Sequence, residues 1–140
     1  MQEGLREEKV IEKLKGKGYE PNIYVYGILE IPVSIASAAL IGVFAMNKPK
    51  PLIVNFSENG IAFLELNSNC SKYTGFHNFI PVENIETLSL KKGMLINTLN
   101  ILTNNDNNQK IKISNATAGT NWQKNNVLKM MEFVQSYKKK

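Results

Sequence analysis

The sequence predicts a mainly β (α+β) domain: a bent sheet or small barrel of about seven antiparallel strands, capped by a C-terminal helix and preceded by an extra N-terminal helix. Three observations carry this. From Leu52 to Ser114, short apolar runs alternate with polar stretches of hairpin length. Val127, Met130, Met131, Val134 and Tyr137 then recur at helical spacing. The chain has 140 residues, 43% hydrophobic and 21% charged, which suits one ordinary core rather than two domains or a disordered chain.

Taken in order, residues 2–17 read as a helix. Glu8 and Glu12, and likewise Lys9 and Lys13, stand four apart, while Val10, Ile11 and Leu14 form a narrow apolar stripe that needs a surface. Gly16 and Gly18 end it. Tyr19, Pro21, Tyr24 and Tyr26 follow as an extended connector, because proline drives its predecessor out of helical geometry. Residues 31–46 carry no charge. A membrane span needs about 20 apolar residues, and a signal peptide needs an earlier start and a basic flank. Periodicity does not separate a buried helix from a buried strand. The β character of the chain from Leu52 onward assigns this run as the first strand.

Next, Leu52, Val54 and Phe56 alternate with Ile53, Asn55 and Ser57. Asn59-Gly60, between this run and residues 61–66, is a strong hairpin signal because both residues tolerate positive φ. Residues 67–72 are a polar loop, and 73–80 an aromatic-rich strand ended by Pro81. Residues 85–90 and 95–103 are strands joined by a Lys91-Lys92-Gly93 turn, with Leu95, Leu99 and Ile101 on one face. After an Asn-rich loop, residues 110–114 alternate Ile111 and Ile113 inward with Lys110, Lys112 and Ser114 outward. The last helix runs from Thr120 to Tyr137. Thr120 and Gln123 have capping-box spacing, and Lys138, Lys139 and Lys140 suit the negative end of the helix dipole. Trp122, Val127, Met131 and Val134 are expected to face the barrel.

The net charge of +5 is unevenly placed: residues 1–29 are neutral, residues 30–137 carry +2 and the terminal lysines +3. Sixteen of the seventeen basic residues are Lys, Arg6 being the exception. Arginine is the residue that reads guanines and phosphates with a planar fork, so sequence-specific nucleic-acid recognition is not expected. His77 and Cys70 each stand alone in their residue type. A metal site needs three or four ligands, and nucleophilic catalysis needs a nucleophile with a base in reach. No catalytic set, metal or cofactor is therefore expected, and the chain reads as not an enzyme.

The stretches PLIVNFSENGIAFLEL and IPVENIETLSLKKGMLINTLNI, with the helix from Thr120 to Tyr137, resemble small bacterial pleckstrin-homology (PH)-like proteins, including the YokE-like group. Ser57-Glu58-Asn59-Gly60 stands where that family commonly has Thr-Asp-Lys-Arg. The resemblance implies an N-terminal helix and connector over residues 1–29 and a PH-like domain over residues 30–140. It also implies a non-catalytic interaction or scaffold module that self-associates through sheet edges, with a protein or a second copy as partner. The alternative is peripheral binding to anionic lipid head groups in a cytoplasmic protein. PH folds that bind lipid use basic residues after the first strand, which here are Lys48 and Lys50, with Lys72 on the same rim. Their motif continues with basic residues in the second strand, where this chain has Leu52, Ile53, Val54 and Asn55. Weak, salt-sensitive anion contact is the most that Lys48, Lys50 and Lys72 imply.

Overall fold

The computed structural model describes residues 3–30, 50–105, 108–117 and 120–137. A single turn at Glu3–Leu5 leads into helix α1, Glu7–Gly16. Seven strands follow: β1 Ile23–Leu29, β2 Lys50–Ser57, β3 Gly60–Leu66, β4 Tyr73–Pro81, β5 Ile85–Lys91, β6 Ile96–Thr103 and β7 Asn108–Ser114. Helix α2, Gln123–Ser136, ends the fold. The expected fold class is the one observed, with one reassignment. The stretch read as a connector contains β1, which pairs with β2 from Ile23↔Phe56 to Leu29↔Lys50. Its alternation of Tyr24 and Tyr26 with Val25 is a strand pattern that Pro21 and the tyrosines obscured. Residues 31–46, expected to be the first strand, lie outside the described residues.

The sheet order is β4-β3-β2-β1-β7-β6-β5, with every neighbour antiparallel. The two end strands, β4 and β5, are consecutive in the chain and joined only by Val82–Asn84. Laid flat, seven strands at ~4.8 Å spacing would put them about 29 Å apart, while the link from Pro81 to Ile85 reaches about 13 Å. The sheet must therefore curl until its ends approach. At the curl Gly27 lets β1 and β7 come close: a Cβ there would stand 2.8 Å from Ile111 Cγ2.

Curling encloses one core, with Val25, Leu52, Val54, Phe56, Phe63, Ile80, Leu88, Leu99, Ile101, Ile111 and Ile113 from the sheet. Val127, Met130 and Val134 of α2 close it, and the rings of Phe56 and Phe133 meet at 5.6 Å. Residues of opposite parity on the same strands form a second core on the outer face. There Ile53, Leu64 and Leu66 meet Leu5, Val10 and Leu14 of the N-terminal segment, with Cys70 and Trp122. Every residue of β3 is buried as a result. The stripe of α1 finds its surface within its own chain.

Trp122 is thus a correction: it lies in the outer core, not the barrel, and its Nε1–H donates to the Leu5 carbonyl at 2.9 Å. Met131 is only half-buried against the barrel core, and Met130 takes the interior position. The capping box does not form. Thr120 Oγ1 donates to the Thr117 carbonyl, Trp122 occupies the cap position without a side-chain cap, and Gln123 is fully buried elsewhere. The hairpin between β2 and β3 turns at Glu58-Asn59, since Ser57 pairs with Gly60. Of Leu95, Leu99 and Ile101, expected on one face, Leu99 and Ile101 are buried and Leu95 is exposed.

Candidate functional site

The place where β1 and β7 part company organises the site. Register between them covers only Ile28↔Lys112 and Leu29↔Ile111. Further back along β1, the backbone groups facing β7 meet no strand among the described residues. Helix α2 supplies partners instead. The Tyr26 N–H donates to Gln123 Oε1 at 2.9 Å, and Gln123 Nε2 donates to the Tyr26 and Ser114 carbonyls at 2.9 and 3.1 Å. One turn on, Asn126 Nδ2 donates to the Tyr24 carbonyl at 2.9 Å. Two amide side chains thereby stand in for a strand, because buried backbone groups need partners. At the far end of α2, Tyr137 Oη donates to the Ile85 carbonyl at 3.1 Å. The helix is pinned to β1 at its start and to β5 at its end.

Between these pins, α2 and β5 leave a groove. A cavity of about 330 Å³ is lined by Leu88, Ser89, Leu90 and Lys92 on the strand side and Met131, Val134 and Gln135 on the helix side. A second, of about 210 Å³, continues past Leu88 toward Ile61, Val82, Phe133 and Tyr137. β5 stands at the end of the sheet order, with no strand on its outer side among the described residues. The groove therefore combines a strand edge, an apolar floor and polar rims at Lys92 and Gln135. Residue-level reading of the sequence did not find it. Its signal was Met131, an apolar residue beside Met130 that broadens the stripe of α2 past what the core needs.

The sequence candidates lie elsewhere. Lys50 opens β2, and Lys72 sits in the turn before β4, where the Asn67 N–H meets the Lys72 carbonyl at 2.9 Å. The register of β2 with β3, and of β3 with β4, puts both at one end of the sheet. Lys48 lies outside the described residues. Cys70 and His77 are held by different tyrosines: Cys70 Sγ donates to Tyr26 Oη at 3.4 Å, and His77 Nδ1 is hydrogen-bonded to Tyr19 Oη at 2.8 Å. Burial pushes the Cys70 thiol up, away from the reactive thiolate. Among the described residues no three His, Cys, Asp or Glu side chains group as metal ligands. Nor is any described helix long and apolar enough to cross a membrane.

No family model and no curated protein matches the chain. Among solved structures, the pleckstrin homology (PH) domain of USP37 is similar, at 15% sequence identity and a TM-score of 0.47, over 82% of this chain and 95% of that one. The fold itself is mainly β: among the described residues, seven antiparallel strands in one curled sheet, a C-terminal helix across its opening and an N-terminal helix on its outer face.

Proposed function

We propose that this chain is a non-catalytic interaction module that takes an extended segment of a partner polypeptide along β5, in the groove against α2. The observation that carries the reading is the groove itself, a strand edge walled by Leu88, Leu90, Met131 and Val134. An extended peptide added to a sheet edge gains main-chain hydrogen bonds, and pockets for alternate side chains give selectivity. Self-association is less supported than the sequence suggested, because the stripe of α1 is already covered by Ile53, Leu64 and Leu66. The finer likeness to small bacterial PH-like proteins remains part of this proposal and rests on the sequence stretches alone.

The test is selection of binders from a random-peptide display library against the full chain, followed by amide chemical-shift mapping. Selected peptides should perturb β5 and the last two turns of α2. Binding should weaken at least about tenfold when a central peptide amide is N-methylated, since a strand addition depends on main-chain donors. Met131→Lys, at a half-buried position, should abolish binding while the fold is retained. Peptides that bind this variant unchanged, or that map to another face, would refute the groove. Light scattering of the free chain separates capture of a second copy from capture of a foreign segment.

A further inference from the structure

The β5–β6 hairpin ends in three consecutive large apolar side chains that point at solvent. Met94 is 93% exposed, Leu95 74% and Ile96 51%. On the adjoining face of α2, Leu128 is 54% exposed. Lys92, Gly93, Lys124 and Leu128 border one hollow, so helix and hairpin present a single surface. Scattered exposed apolar residues are ordinary, but a protruding run of this kind marks an interaction site.

Three features identify what covers it. The first is charge. Lys91 and Lys92 precede the tip, and Lys124 borders the same hollow as Lys92. The second is the backbone. The Asn115 side chain donates to the Met94 carbonyl at 3.1 Å, and the Asn115 N–H donates to the Leu95 carbonyl at 3.0 Å. Asn97 holds Asn115 in turn at 2.7 Å. Gly93 makes this tight return feasible, because a Cβ there would fall 2.1 Å from the Ile96 carbonyl oxygen. A loop entering lipid must have its polar backbone satisfied by protein, and these carbonyls are. The third is size. Four side chains fall well short of the roughly 20–30 residues per side that a stable protein interface uses.

We propose that the Met94–Leu95–Ile96 tip seats in the interfacial layer of an anionic membrane, with Lys91, Lys92 and Lys124 at the head-group level. This surface is separate from the rim of Lys50 and Lys72, and it does not depend on the peptide groove.

The test is co-sedimentation of the full chain with phosphatidylcholine vesicles, with and without phosphatidylserine, at low and moderate salt. Binding is expected only with phosphatidylserine and should fall with salt, as screening requires. Met94→Ser with Leu95→Ser removes exposed side chains, so folding should survive, while partitioning should drop at least about tenfold. A polarity-sensitive dye on Leu95→Cys should shift to the blue on binding, since Cys70 is buried and stays unlabelled. Absence of vesicle binding overturns the proposal. So does binding that survives the double serine variant but is lost in Lys50→Glu with Lys72→Glu. A concentration-dependent dimer that the double serine variant dissolves, with no vesicle binding, would assign the tip to a second copy instead.

Discussion

Replacing Gln123 with leucine should cost this fold as much as a core truncation, although nothing apolar is lost. The side chain is fully buried and serves three backbone groups: the Tyr26 N–H, the Tyr26 carbonyl and the Ser114 carbonyl. Leucine fills a similar volume and offers none of them a partner. A buried backbone group left bare costs about 1–3 kcal/mol, with carbonyls toward the lower end, so the three together come to about 3–5 kcal/mol. A domain of this kind has about 5–15 kcal/mol in total. The thermal midpoint should therefore fall by roughly 10–15 °C. Urea unfolding followed by Trp122 fluorescence measures the change, and Trp122 is the residue next to the perturbation. Gln123→Glu adds a second handle. It keeps the acceptor for the Tyr26 N–H but buries a carboxyl, which raises its folded pKa. A raised acid binds more protons when folded, so this variant should be closest to the parent at acidic pH and lose stability as pH rises. A Gln123→Leu protein within about 0.5 kcal/mol of the parent, the usual range of an inconsequential surface change, would refute the account of α2 as a substitute strand.

Three further outcomes rest on the packing and the ionisable groups. Met130→Ala should destabilise by ~2–5 kcal/mol and Met131→Ala by clearly less, because Met130 lies inside the barrel and Met131 only borders it; equal costs in denaturant melts would contradict that placement. The Tyr24 hydroxyl is pushed up to about 12 from 10.0, chiefly by burial and then by its bond to Glu7, and burial raises Tyr19, Tyr26 and Tyr73 as well. The stability these phenols contribute is complete below their unfolded value of 10.0 and is lost as pH climbs through the folded values, so melts should hold to about pH 10 and then decline. Glu7→Gln should leave most of the Tyr24 rise in place, which phenolate absorbance would report; a return to the ordinary range would make Glu7 the larger cause.

Much of the fold was legible because β2, β3, β6 and β7 are short apolar runs between polar turns. Ile111 and Ile113 fall inward as their alternation implies. The reading failed where one residue serves two purposes. Tyr24 and Tyr26 look like connector residues, yet their backbones form a strand while their rings pack against the outer core. Thr120 and Gln123 have the spacing of a cap, but Gln123 is drawn to β1 by backbone groups that no local pattern records. Trp122 follows the Leu5 carbonyl for the same reason. One clue was available: PLIVNF and IAFLEL are almost continuously apolar, which signals burial on both faces rather than one. The groove was not legible, because it depends on which edge the curled sheet brings beside α2.

The outer core also bears on how the chain avoids misassembly during its own synthesis. LIVNF and IAFLEL are five- and six-residue windows of high β propensity that contain no proline and one acid, Glu65, the kind of segment that stacks with copies of itself when left uncovered. Their cover, α1, lies ahead of them in the chain and leaves the ribosome first. Each strand that emerges thus meets a waiting intramolecular shield instead of a neighbour's strand. On this view the N-terminal segment acts during folding as a built-in chaperone, and removing residues 3–16 should lower the yield of recoverable protein more than the lost packing alone would suggest.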